Sequence, residues 1–263
     1  VTSVELIRRV RNTRLILLDK KRIDLKRYPV KMRYPDYIMT DKFNWEAFLD
    51  PYIQAVGELK IKLRGARKQY QKQNRHSPIE FVTGRVKPAE SIKNKARLRG
   101  FTPENIAEMQ DIAGVRVMVQ FVEDVEEVLN LLRQRKDFKI VQERDYINHQ
   151  KESGYRSYHV IIEYPVEMVD GRKNILAEIQ IRTLAMNFWA TIEHSLNYKY
   201  QGAFPDELRK RLAVTAKIAY ALDEEMSTIR EEIQEAQLLF NPSRHKVDDG
   251  VENRDDFDEE HNW

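Results

Sequence analysis

NILAEIQIR, residues 174–182, alternates with a period of two. Ile175, Ala177, Ile179 and Ile181 fall on one side, and Glu178, Gln180 and Arg182 fall on the other. Successive side chains of a strand point to opposite faces, so the run reads as a strand with an apolar and a polar side. The polar row has two readings: a sheet with one working face, or an antiparallel sheet with one merely wet face. A second run, GVRVMVQF (114–121), repeats the pattern. Val115, Val117, Val119 and Phe121 point one way, and Arg116, Met118 and Gln120 the other. Further strands are expected at 81–87, 138–145 and 158–164, with residues 168–171 turning into the 174–182 strand.

Helical spacing surrounds these runs. Phe48, Leu49, Tyr52, Ile53, Val56, Leu59 and Leu63 recur at steps of three and four, predicting a helix over 45–73 that Pro51 bends or restarts. Pro88 suits a first helical turn and Gly100 a stop, giving a helix over 88–99. Others are expected over 125–135 and over 186–240, the last interrupted near 202–205. Phe188, Trp189 and Ile192 are expected in the core. Strands bracketed by helices make an α+β domain.

The chain has 263 residues, no cysteine and no apolar run near the roughly 18 residues that span a membrane. Disulfide and thiolate chemistry are excluded, and a cytoplasmic setting fits. The net charge of +3 is unevenly placed. Residues 1–38 carry +7, residues 241–263 carry −5, and the body between them carries +1. Overall basicity therefore says little about nucleic-acid binding. Met39, Thr40 and Asp41 read as a translation start, which makes 1–38 a basic extension or a misplaced start, with a transit peptide as the alternative. The body is then 39–240, followed by a polar, acidic, disordered tail at 241–263.

Five segments carry candidate chemistry. In GRVKPAESIKNK (84–95), Arg85 and Lys87 share a strand face, and Ser91 and Lys95 share a helix face. The helix N-terminus between them favours anions, so the four could converge on one polyphosphate; a solvated basic helix is the alternative. Asp111, just before a strand, either caps a turn or holds Mg²⁺. Glu178 leads the polar row. In KESGYRSYH (151–159), Gly154 permits a tight turn and Tyr155 offers a ring on which a base can stack. Lys151, Arg156 and His159 add donors, though a charged loop would look the same. Asn187 either caps a helix or reads a purine edge. Walker A and GxGxxG patterns are absent, as is zinc-binding HExxH spacing.

Together, HSPIEFVTGRVKP (76–88), DIAGVRV (111–117), KESGYRSYH (151–159) and EIQIRTLAMNFWATIEHSLNYKY (178–200) resemble the RelA/SpoT-type alarmone synthetases, in particular the small stand-alone RelQ-like enzymes. The similarity covers roughly residues 41–240, in order. It implies a nucleotidyltransferase-like mixed sheet flanked by helices, with helical N- and C-terminal elements. The implied reaction moves pyrophosphate from ATP to the 3′-hydroxyl of GDP or GTP, releases AMP, and serves stringent-response signalling.

The resemblance also assigns residues. Asp111 and Glu178 are the two essential acids at the Mg²⁺. Arg85 and Arg116 sandwich the adenine of ATP, and Lys87, Ser91 and Lys95 hold its phosphates. Tyr155 stacks on the acceptor guanine and Asn187 reads its edge. Arg144, Lys151 and His159 line the acceptor phosphates. Glu193 lies in a matching motif without an assigned role, and Leu98 stands where relatives often carry a base. Relatives are typically homotetramers, alarmone can bind a central cleft in them that the segment around Phe81 matches, with Phe81 as a plain strand residue the alternative, and some bind single-stranded RNA. No His-Asp dipeptide is present, so synthesis without hydrolysis is expected. Another nucleotidyltransferase, or an inactive alarmone- or RNA-binding regulator, is the competing reading.

Overall fold

The computed structural model describes residues 43–149, 151–200 and 204–240. The readings of 1–38 and 241–263 lie outside these residues. Five strands form one sheet: β1 (Phe81–Val86), β2 (Ala113–Val119), β3 (Lys139–Asp145), β4 (Tyr158–Met168) and β5 (Gly171–Thr183). Their order is β1-β2-β5-β4-β3. Only the β2/β5 pair is parallel, so the sheet is mixed, as expected for the α+β class. The helices are α1 (Trp45–Lys72), α2 (Ala89–Arg99), α3 (Asp124–Arg133), α4 (Leu184–Lys199) and α5 (Asp206–Phe240).

The apolar rows form the core. Val115, Val117 and Val119 of β2, Ile175, Ala177, Ile179 and Ile181 of β5, and Val160 and Ile162 of β4 are all buried in one cluster. Tyr52, Ala55, Val56, Leu59 and Leu63 of α1, and Val125, Val128, Leu129 and Leu132 of α3, join the same cluster. Each fully buried aliphatic side chain contributes about 1.5–3 kcal/mol. The sheet thus has one packed face, and its other face is left for the polar rows of β5 and β2.

Several local expectations need correction. The α1 helix runs through Pro51 without a break. Phe121 does not extend the β2 core row: the strand ends at Val119, and the Phe121 ring lies under the Arg230 guanidinium, 4.3 Å away. β4 and β5 are longer than predicted and meet in a hairpin, with Met168 opposite Gly171. Pro165 lies within β4. It is tolerated because β3 pairs with β4 only as far as Glu163, leaving that edge open beyond it. Gly100 ends α2 with φ 75°, the left-handed conformation glycine adopts without strain.

Candidate active site

β1 and β2 are antiparallel, with Val86 opposite Ala113, and the Lys87 N–H donates to the Ile112 carbonyl at 2.8 Å. This ladder end brings Lys87 beside Asp111, and its ammonium donates to Asp111 Oδ2 at 2.7 Å. The chain then turns into α2, which returns Lys95 to the same carboxylate oxygen at 2.7 Å. Burial acts to raise the Asp111 carboxyl, but the two ammonium groups outweigh it and hold the group below its ordinary value. Ser91 lies one turn before Lys95 on α2, half-buried.

The parallel β2/β5 pairing sets Gly114 opposite Glu178. Glu178 is buried, and its field reaches Asp111 and Arg85. Its Oε1 is hydrogen-bonded to His159 Nδ1 at 2.8 Å, and Gln180 Nε2 donates to its Oε2 at 2.7 Å. Burial would raise this carboxyl, yet His159 and Gln180 hold it below the ordinary value.

A chain of contacts continues along the polar face. His159 Nε2 is hydrogen-bonded to the Tyr155 hydroxyl at 2.8 Å. Arg182 donates to that hydroxyl at 2.6 Å, to Gln180 Oε1 at 2.7 Å and to Ser157 Oγ at 3.2 Å. The Lys151 ammonium lies over the rings of Tyr146 and Tyr155, at 4.5 and 4.9 Å. Arg116 donates to Asn187 Oδ1 at 3.0 Å. Burial, and then the nearby Arg182, push the Arg116 guanidinium down. A guanidinium still remains charged at neutral pH, so this crowding of cations amounts to a demand for anions.

Most predicted residues therefore converge. Arg85, Lys87, Lys95, Asp111, Arg116, Tyr155, His159, Glu178 and Asn187 form one connected polar surface. Two placements refine expectation. His159 engages the second acid and the tyrosine, whereas the resemblance put it on phosphates. Asn187 does not cap α4: Thr183 does, accepting from the Met186 N–H at 3.0 Å. Arg144 sits opposite His159 on β3 and donates to Gln142 and Gln110. Phe81 opens β1 opposite Met118, half-buried. Leu98 is exposed. Of the three α4 residues expected in the core only Trp189 is buried; Phe188 is 70% and Ile192 46% exposed. Gln110 and Thr183 were missed, because a lone polar residue at an element end carries no periodic signal.

The residues present suit a magnesium ion. Asp111 Oδ1 is buried without a hydrogen-bond partner, while its sister oxygen takes both lysines. No group of three or more His, Cys, Asp or Glu that could hold a metal occurs among the described residues. A pair of carboxylates completed by substrate phosphates is how Mg²⁺, unlike zinc, is usually held.

Two acids, one on β5 and one just before the neighbouring β2, ringed by Lys and Arg beside an aromatic platform, define a nucleotide polyphosphate transferase. A profile of the region found in RelA / SpoT proteins matches residues 84–203. The chain is 59% identical over 203 residues to the GTP pyrophosphokinase YjbM of Bacillus subtilis, covering 77% of this chain and 96% of that protein. The crystal structure of the small alarmone synthetase 1 from Bacillus subtilis bound to its product pppGpp superposes with a TM-score of 0.70 at 59% identity, covering 72% of this chain and 98% of that one. The same enzyme bound to AMPCPP gives a TM-score of 0.65 at 54% identity, covering 73% and 98%. The chain belongs to the RelA/SpoT family, among its small GTP pyrophosphokinases.

Proposed function

We propose that pyrophosphate transfer from ATP to the 3′-hydroxyl of GDP or GTP takes place on the polar face of the β2/β5 pair. The observation that carries this is the placement of Glu178 on β5 and of Asp111 just before β2, its parallel neighbour, with Asp111 ringed by lysines and Glu178 held ionised. Arg85 and Arg116 flank the donor adenine, and Lys87, Ser91 and Lys95 hold the donor phosphates. Tyr155 and Asn187 take the acceptor guanine, with Lys151, Arg144 and His159 toward its phosphates.

Glu178 is poised as base. His159 and Gln180 hold it in its carboxylate form at neutral pH, and it accepts the proton of the 3′-hydroxyl. The freed oxygen attacks the β-phosphorus in line. The bond from that phosphorus to the bridging oxygen breaks, and AMP leaves with this oxygen. Lys87, Lys95 and Arg85 stabilise charge on the moving group, which is where most catalysis of phosphoryl-type transfer lies. Asp111 Oδ1 and Glu178 would hold a Mg²⁺ ion, which when bound neutralises phosphate charge.

The wider reading is a cytoplasmic homotetramer in stringent-response signalling, with alarmone regulating near Phe81 and single-stranded RNA as a candidate further ligand. No helix among the described residues is long and apolar enough to cross a membrane. The exposed apolar residues of α5 support assembly. The test is to incubate purified protein with Mg²⁺, ATP and GDP or GTP and to separate the nucleotides. AMP formed in step with a 3′-pyrophosphorylated guanosine nucleotide is expected. Pyrophosphate release would indicate nucleotidyl transfer instead. No turnover, with or without added alarmone, would indicate a binding protein.

A further inference from the structure

The long helix α5 meets the rest of the fold through an unusual face. Ala216, Asp223 and Ser227 are its buried residues, and Tyr220 and Arg230 lie on the same side. Their spacing of four, three, four and three residues makes one continuous seam. The seam is largely polar. Ser227 donates to Glu123 at 3.0 Å and Arg230 to Asp124 at 3.1 Å. At its centre is Asp223, 6% exposed and distant in sequence from every predicted site residue. Burial, ahead of its contacts with Thr183 and Arg156, pushes this carboxyl up to about 6.

Asp223 has two partners, and each belongs to a site-bearing element. The Thr183 hydroxyl donates to Asp223 Oδ2 at 2.9 Å while the same oxygen caps α4. Thr183 is the last residue of β5, directly after Arg182, and α4 carries Asn187 one turn on. Arg156, also 6% exposed, places Nη1 3.6 Å from Asp223 Oδ2, with its guanidinium 4.3 Å from the Tyr220 ring. Arg156 Nε and Nη1 are buried and make no hydrogen bond, so the Asp223 carboxylate and the Tyr220 ring are the groups that face its charge. Its neighbours face the site: Tyr155 and Ser157 both accept from Arg182. Next to them Gly154 rests against Ala216 of α5.

We propose that Asp223 is a positioning residue for the acceptor nucleotide. Through Arg156 it fixes the turn that presents Tyr155, and through Thr183 it fixes the start of the helix that presents Asn187. On the donor side Lys87, Lys95 and Asp111 sit at the ends of β1 and β2 and on α2, none of which Asp223 touches, and the link to the braced helix is the Arg116 hydrogen bond to Asn187. The proposal rests on the reading of Tyr155 and Asn187 as acceptor-binding residues, and predicts a selective defect. Asp223→Asn should raise KM for GDP and GTP about 10-fold, less than the roughly 10²-fold that a full 1 Å misplacement can cost. KM for ATP should stay within about twofold. Thr183→Val should share the defect, and Thr183→Ser should restore it.

Hydrogen exchange read by mass spectrometry separates this from a general loss of structure. In Asp223→Asn, peptides covering 151–157 and 184–187 should exchange faster, while those covering 81–87 and 111–117 should not change. Equal rises in KM for ATP and acceptor, with faster exchange throughout, would overturn the proposal, as would no change in either readout. Faster local exchange with an unchanged acceptor KM would overturn the link to the acceptor. Tyr155→Ala then locates the fault: if it too leaves acceptor KM unchanged, the assignment of the acceptor site has failed rather than the brace.

Discussion

Asp111 and Glu178 do different work because their neighbours differ. Asp111 has two ammonium groups on one oxygen and a buried second oxygen without a partner. Asp111→Asn keeps the shape and removes the charge. It should lower kcat by about 10²–10³-fold, typical of losing a key electrostatic group, while circular dichroism remains native; near-normal turnover would remove Asp111 from the mechanism. Glu178 is held low by His159 and Gln180 against burial. A carboxyl with a lowered folded-state value contributes stability above its unfolded value, near 4.5, and loses it as pH falls through the folded value. The acid limb of the pH–rate profile due to Glu178 should therefore lie below about 4.5. His159→Asn removes the largest opposing contact, so burial should move that limb toward neutrality. A limb that stays in place would show that His159 does not tune Glu178. Both acids were legible, one before a strand and one in an alternating row. The contacts that set their values were not, because Lys95 and His159 meet them only once the chain has folded.

At the scale of elements, period-two and helical patterns placed the five strands and five α-helices of the described body and missed the 3-10 turn Ile106–Glu108, which is too short to carry a period. The strand expected over 158–164 runs on to Met168, and Phe188 and Ile192 looked like core because helical spacing cannot say which face another element covers. The turn 151–157 shows how one residue couples two elements. Gly154 has φ 86°, and a Cβ there would lie 2.4 Å from the Ala216 Cβ on α5. Gly154→Ala thus incurs a left-handed backbone penalty of about 1–2 kcal/mol and an overpacking penalty of about 1–3 kcal/mol. It should lower the melting temperature and raise the acceptor KM. Adding Ala216→Gly relieves the overlap and leaves the backbone strain, so it should recover only part of the loss. Full recovery in thermal melts would show that φ at 154 is immaterial, and no recovery would show that α5 does not bear on the turn.

At the scale of the assembly, α5 is inverted relative to an ordinary surface helix. Its inward seam holds Asp223, Ser227 and Arg230, while Val214, Ile218, Leu222, Ile229 and Ile233 are exposed at 57, 63, 51, 38 and 53%. The sequence shows both stripes, but which one faces inward depends on the partners Asp124, Glu123, Thr183 and Arg156, contributed by distant segments. The apolar stripe adjoins a groove against α4 lined by Leu196, Tyr200, Leu208 and Val214. Contiguous exposed apolar surface of this kind marks an interaction site, and copies of the chain are the occupant that the homotetramer reading requires. Covering each large aliphatic side chain would contribute up to about 1.5–3 kcal/mol. Replacing Ile218 and Ile229 together by Glu would place charge in that contact and should split the proposed tetramer into smaller species, measured by sedimentation velocity at several concentrations. Since neither residue belongs to the polar seam, the sheet and its site should stay folded in the separated chain, with native circular dichroism. A wild-type chain that sediments as a monomer at every concentration would refute self-assembly. A variant that remains tetrameric would place the interface elsewhere than this stripe.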